Sequence, residues 1–351
     1  MLHDTHVHLE MLLSKLDLLG DMREYDEDSA EAILTDEAKS KLTELISNHE
    51  FLLHSTVSTK NFAYVTNLFK DFSKIKYFFG SHPEIVNSDF DLDKYLEEQP
   101  NFIENNHIFE SIKQNKTNRM SSQREVAAKL TEGVSPIINV ASLINSKTVI
   151  QSIAKDPLTI ENKTQPTQTQ KETQTIVGIG EVGLDYHYTQ DPELIAIQKK
   201  LFQSQIELAI KYNLPLMIHC RDAFDDLFEI LEKYPAIHGK FLIHCFTGGI
   251  DEMYRAIKIG GKIAFGGVIT FKSAREVQEA VEYCPLESFV LETDLPFLSP
   301  KRGEICIPEH IDLVAEKVAE IKKIPKQEVW EWSRRNCKEL IGVNLQIFVS
   351  I

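Results

Sequence analysis

Long apolar runs are missing from this sequence. None approaches the roughly 18 residues a membrane-spanning helix needs, which excludes a helical integral membrane protein. The opening residues, Met1-Leu2-His3-Asp4-Thr5-His6, also lack a charged region followed by an apolar core, so no secretory leader is expected. Cysteine is scarce: five in 351 residues, an odd number without regular spacing. That argues against a disulfide framework and suits a reducing compartment, so the expected location is the cytoplasm. Positive charge is in deficit, with 38 Lys and Arg against 53 Asp and Glu and a formal net charge of −15. Coating nucleic acid by long-range attraction is therefore not expected, although bound divalent cations can make a locally positive pocket in an acidic protein. Against these absences stands a hydrophobic content of 42%, ample for a large buried core.

The apolar residues follow an alternating rhythm. A first strand carries His3 to His8, and residues 9–50 read as mainly helical, broken by a solvated acidic stretch, Asp21 to Asp28. Further strands are expected at 51–57, 76–80, 176–181, 214–219, 240–244, 262–266 and 289–294. Helices are expected near 61–72, 192–212, 223–233, 251–259 and 274–283. About eight strands separated by helices is the pattern of a (β/α)8 TIM barrel. The whole chain, 1–351, is thus expected to form one barrel domain. An insertion at about 111–175 lies between the third and fourth strands, as a surface extension or a lid. Within it, 123–130 look helical, 134–144 are apolar enough to pack locally, and 161–174 are too polar and repetitive to order themselves.

His6 and His8 fall on one side of an extended strand, because side chains alternate with period two. Such a pair can ligate a metal or simply make core hydrogen bonds. Later residues favour the first reading: His8, His82, Glu181, His219, His244 and Asp294 each close an apolar run and precede a loop. In a (β/α)8 barrel the carboxyl ends of all strands meet at one mouth, so these scattered residues converge. Cys220 and Cys245 directly follow histidines and are expected to face away, under helices. His54, His107, His238 and His310 lack partner spacing and read as surface or core hydrogen-bonding histidines.

As a set, Asp4-Thr5-His6-Val7-His8, Gly80-Ser81-His82-Pro83, Gly180-Glu181-Val182-Gly183-Leu184-Asp185-Tyr186, Leu216-Met217-Ile218-His219-Cys220-Arg221-Asp222-Ala223, Ile243-His244-Cys245-Phe246-Thr247-Gly248-Gly249 and Leu291-Glu292-Thr293-Asp294-Leu295-Pro296-Phe297-Leu298 closely resemble the TatD family of metal-dependent hydrolases. The resemblance implies a TIM barrel and metal-dependent deoxyribonuclease activity on a DNA substrate; no membrane association and no obligate protein partner are expected. It implies two divalent cations. His6, His8 and Asp294 would hold the first, Glu181 would bridge, and His219 and His244 would complete the second. Magnesium or manganese follows from the resemblance, while mixed imidazole and carboxylate donors also suit zinc.

Such a pair of cations can hold a phosphodiester oxygen and activate a water. Asp294 is a candidate general base, and Glu181 and His82 are candidate catalytic residues. His82 and Arg221 are candidate phosphate contacts, Arg221 with a salt bridge to Asp222 as its alternative. Two positions depart from the family pattern: Glu84 stands where a histidine is frequent, and Cys306 where an asparagine is frequent. Two other functions remain open, hydrolysis of carboxylic esters or amides such as aminoacyl-tRNA, and a catalytically idle barrel that binds a partner.

Overall fold

The computed structural model describes residues 2–19, 33–58, 61–105 and 176–342. Among the described residues eight strands form: β1 Leu2–Val7, β2 His49–Ser55, β3 Ile75–Phe79, β4 Ile176–Asp185, β5 Leu216–Arg221, β6 Phe241–Ile243, β7 Lys262–Phe265 and β8 Phe289–Leu291. They pair in sequence order, every neighbour parallel. Parallel neighbours cannot be joined by a hairpin, so helices intervene. Among the described residues these are α1 Leu9–Lys15, α2 Asp36–Leu45, α3 Phe62–Leu68, α4 Leu92–Asn105, α5 Pro192–Tyr212, α6 Phe224–Glu232, α7 Ile250–Lys258, α8 Arg275–Tyr283, α9 Ile311–Lys322 and α10 Lys326–Leu340.

Helix α5 shows how local chemistry sets the bounds. The Asp191 side chain accepts the Glu193 N–H at the start, Pro192 follows with its fixed φ, and Asn213 ends the helix in the left-handed region at φ 56°. The expected span, 192–212, coincides with the observed one. Helices α4, α9 and α10 were not anticipated; α4 contains Pro100, a residue disfavoured inside helices.

The sheet closes into a barrel beyond the end of β8. Val7 bridges Leu295 in parallel, the Asp294 N–H donates to the His6 carbonyl at 3.1 Å, and the His8 N–H donates to the Leu295 carbonyl at 2.9 Å. The interior is layered. A buried apolar cluster draws Phe51, Phe78, Val177, Met217, Leu242, Ala264 and Val290 from β2 to β8, and α10 adds Cys337 and Leu340. Glu50, near the amino-terminal end of β2, pairs with Arg334 and Lys338, so α10 lies at the base. Above the cluster, the Met217 sulfur meets the Ser55 hydroxyl and the His6 ring, and the interior turns polar.

All five cysteines are free. No helix among the described residues is long and apolar enough to cross a membrane. The acidic stretch 21–28, the insertion at 111–175 with its parts, and His107 lie outside the described residues.

Candidate metal centre

Each expected donor is delivered by the barrel's carboxyl-terminal end. His6 lies in β1, and His8 follows it as the residue that opens α1. His82 precedes a short 3-10 turn, Pro83–Ile85, and His219 lies in β5. His244 stands immediately after β6, its N–H bonded to the Ile218 carbonyl at 2.9 Å. Asp294 follows β8 in the left-handed region, φ 59°, held by the bond to His6 that closes the barrel.

Glu181 departs from its expected place at a strand end. β4 continues through Val182-Gly183-Leu184 to Asp185 and shifts register against β5 between Ile179 and Val182. Gly183 permits this: at φ 145°, a Cβ there would lie 1.9 Å from the His219 carbonyl oxygen. The close approach sets Glu181 and Asp185 on either side of His219.

The two Glu181 carboxylate oxygens face different groups of donors. Oε2 lies 3.3 Å from His6 Nε2 and 3.6 Å from His8 Nε2. Asp294 Oδ1 joins them at 3.5 Å and 3.8 Å from the same two nitrogens. Oε1 lies 2.9 Å from His219 Nδ1, 2.8 Å from His244 Nε2 and 3.3 Å from His82 Nε2. Donors about 2.1 Å from a tetrahedral cation stand about 3.4 Å apart, so the spacing fits a metal on each side of the carboxylate. His6, His8 and Asp294 form one group able to hold a metal, and His6 with Glu181 and His244, and His82 with Glu181 and His219, form two more.

The outer partners aim the rings. His8 Nδ1 faces the Ser55 carbonyl at 3.1 Å, which can only accept, so the hydrogen sits on Nδ1 and Nε2 presents a lone pair. His6 Nδ1 faces the Met217 sulfur and the Ser55 hydroxyl, leaving Nε2 free likewise. These two Nε2 atoms are 2.9 Å apart, close enough to share a proton or to face one cation. His219 Nε2 donates to Asp185 Oδ2 at 2.9 Å, turning Nδ1 toward Glu181. His82 is oriented oppositely: its Nδ1 accepts the Glu84 N–H at 3.2 Å, so Nε2 carries the hydrogen. That makes His82 a donor toward Glu181.

Charge supports the same picture. Burial opposes a cation at His8, yet Glu181, Glu10 and Asp294 raise its pKa to about 9. His244 is also raised, against burial, by Glu181 and Glu292. Burial lowers His6, with His244 adding to the effect. Burial raises the Asp294 carboxyl to about 6, with His244 and His8 opposing. The carboxylates here demand positive charge.

Asp4, at the start of the first motif, has a supporting place. Its carboxylate accepts the His6 and Thr293 N–H groups at 3.2 Å and 3.0 Å and the Thr293 hydroxyl at 2.6 Å, joining β1 to the segment that carries Asp294. Asp4 and Asp185 were quoted in the motifs without a role; Glu292, 3.5 Å from His244 Nδ1, is a third such residue. Their signal was proximity to the donors in sequence.

The donors other than the fully buried His6 line a cavity of about 730 Å³ together with Arg221, Tyr188 and Phe297. Arg221 does not take up the alternative bridge to Asp222, which faces His187 at 3.4 Å; its guanidinium meets the Tyr188 hydroxyl at 3.3 Å. Cys220 is buried within β5 as expected, whereas Cys245 is partly exposed and lines the cavity, contrary to the expectation that it points away under a helix. β6 ends at Ile243 and Cys245 has φ 42°, so strand alternation no longer applies there. His54 and His310 are buried hydrogen-bonding histidines as expected, His54 on Glu10 at 2.7 Å and His310 on the Ser299 hydroxyl at 3.2 Å.

Histidines and carboxylates able to hold metal ions, gathered at the mouth of a (β/α)8 barrel, define the class by fold and site: a barrel with a candidate metal centre. A family model described as TatD related DNase matches residues 3–342, and the chain belongs to the TatD family. An uncharacterized metal-dependent hydrolase of Bacillus subtilis, YabD, is 39% identical over 171 residues, 48% of this chain and 66% of the relative. The match thus spans just under two thirds of that relative's length. The human 3'-5' RNA nuclease TATDN2 is 37% identical over 158 residues, 43% of this chain and 20% of that protein. Among solved structures, the TatD homologue YJJV of Escherichia coli has a TM-score of 0.61 at 20% identity, covering 97% of this chain and 98% of that one, a likeness of fold.

Proposed function

We propose that this protein hydrolyses phosphodiester bonds of DNA, trimming strands from an end, with two divalent cations at the barrel mouth. One observation carries the reading: the two oxygens of a single buried carboxylate, Glu181, point into two separate nests of donors. His6, His8 and Asp294 would hold one cation and His219 and His244 the other, magnesium or manganese by family and zinc by donor type. When bound, such a pair polarises a phosphoryl oxygen and lowers the pKa of water. The family description as a DNase supports a nucleic-acid substrate, and the human relative's activity on RNA makes RNA the nearest competitor.

The chain's own groups supply the rest. Asp294, 3.5 Å from His6 Nε2 and 3.8 Å from His8 Nε2, takes the proton of the attacking water. Glu181 keeps the two nests together. His82 presents Nε2–H at the cavity and donates it to a phosphate or leaving oxygen. Arg221, at the rim, offers its planar fork to a phosphate. Five free cysteines support a reducing compartment, the cytoplasm.

The test is incubation of purified protein, loaded with Mn²⁺ or Mg²⁺, with end-labelled single-stranded DNA, RNA and an aminoacyl ester. Release of deoxynucleotides from an end is the expected result. Turnover of the ester alone, or no turnover by metal-loaded protein, contradicts the reading.

A further inference from the structure

Two large side chains in the cavity wall are left without a task by the hydrolytic chemistry. Tyr188 is 67% exposed and Phe297 is 42% exposed, both at the mouth. An exposed aromatic ring forgoes the gain of burial, so a pair beside a reaction centre is a surface for a ligand. Tyr188 follows β4 and Phe297 follows β8. In a ring of eight strands in sequence order, these two strands stand opposite each other. The rings therefore flank the mouth on opposite sides, with Glu181 and Asp294, from the same two strands, between them.

Each ring also carries a cation. The Arg221 guanidinium carbon lies 5.3 Å from the Tyr188 ring centroid, and the Lys15 ammonium lies 4.3 Å from that of Phe297. The Phe297 ring sits 6.4 Å from that of His8, edge to face, so it borders the donor cluster directly. A flat π-face beside a cation matches a nucleobase beside its phosphate: the base stacks and the cation meets the anion. Stacking needs no long-range attraction, which suits a chain of net charge −15.

We infer that Tyr188 and Phe297 are stacking platforms that grip unpaired nucleobases on either side of the phosphodiester held at the metal centre. The inference rests on the nucleic-acid reading above and narrows it to single strands or frayed ends, since a duplex hides its base faces. Deoxyribose and ribose strands share this chemistry.

The test reads binding rather than turnover. Fluorescein-labelled octamers with hydrolysis-resistant phosphorothioate linkages, one of thymidine, one of uridine and one abasic, are titrated with the metal-loaded full chain and followed by anisotropy. The base-bearing strands are expected to bind at least ~10-fold more tightly than the abasic one. Tyr188→Ala and Phe297→Ala are each expected to weaken the base-bearing strands by about 5- to 100-fold and to leave the abasic strand within about 2-fold. Tyr188→Phe and Phe297→Trp, which keep a π-face, restore binding, and circular dichroism confirms that all variants are folded. Equal affinity for abasic and base-bearing strands, equal affinity for a duplex, or wild-type affinity in both alanine variants overturns the proposal. Base-dependent binding without cleavage of the ordinary phosphodiester octamer supports the platforms and refutes the nuclease reading instead.

Discussion

At the base of the barrel His3 is fully buried, its Nε2 is 2.8 Å from the Ser333 hydroxyl, and burial lowers its pKa to about 3. At the mouth His8 is almost as buried, yet the carboxylates around it, Glu181 first, overcome burial and raise it to about 9. His3 lies in β1 and His8 directly follows it, five residues on. What separates them is the company at each end: a hydroxyl, Phe51 and Trp330 around His3, and carboxylates and other imidazoles around His8. In a (β/α)8 barrel the base serves stability and the mouth serves chemistry, and here the same residue type does both jobs.

The largest effect should come from the mouth. On the proposed two-cation reading, Glu181→Ala removes both bridging oxygens, and turnover is expected to fall by at least ~10³-fold, since paired cations would contribute several kcal/mol of charge stabilisation. Steady-state kinetics on a labelled strand check this. Next, Asp185→Asn keeps the shape but loses the carboxylate that holds the His219 tautomer, for an expected loss of ~10- to 100-fold in metal affinity or turnover. Isothermal titration with Mn²⁺ reads the affinity.

The base should answer differently. His3→Ala is expected to cost about 2 kcal/mol of folding stability, from a cavity and a lost hydrogen bond, with metal binding unchanged. Urea unfolding and metal titration on the same sample separate the two. If His3→Ala also weakens metal binding, the division between base and mouth breaks down.

The smallest effect belongs to Glu50, which pairs with Arg334 and Lys338 of α10. Burial acts against its carboxylate, but these hydrogen bonds win and lower its pKa. A carboxyl lowered in the folded state stabilises above its unfolded pKa, about 4.3, and that contribution is lost as pH falls through the folded value. Glu50→Gln should therefore cost under ~1 kcal/mol at pH 7, a partly exposed pair being weak. Its stability curve and that of the wild type should converge below about pH 4. A gap that persists there would assign Glu50 a packing role instead.

Legibility in the sequence followed the same division. The donors His6, His8, His219 and His244 stood at or near the ends of apolar runs, and the barrel pattern alone predicted that they meet. Asp185 was harder, because nothing in Gly180 to Tyr186 shows that β4 continues past Glu181 until Gly183 is seen against the His219 carbonyl. Cys245 was misplaced because alternation fails once the backbone turns left-handed. Tyr188 and Phe297 gave no signal: exposure and opposition across the mouth are properties of the closed ring. The base was the least legible, since α10 reaches the barrel interior through long-range contacts that no local period encodes.

The central claim is that one buried carboxylate joins two cation sites at the mouth, and metal stoichiometry tests it most directly. Protein loaded with Mn²⁺, desalted and measured by inductively coupled plasma mass spectrometry is expected to hold ~2 ions per chain, falling to ~1 or fewer in Glu181→Gln. A ratio of ~1 or less in the wild type, or ~2 in both proteins, would contradict the account.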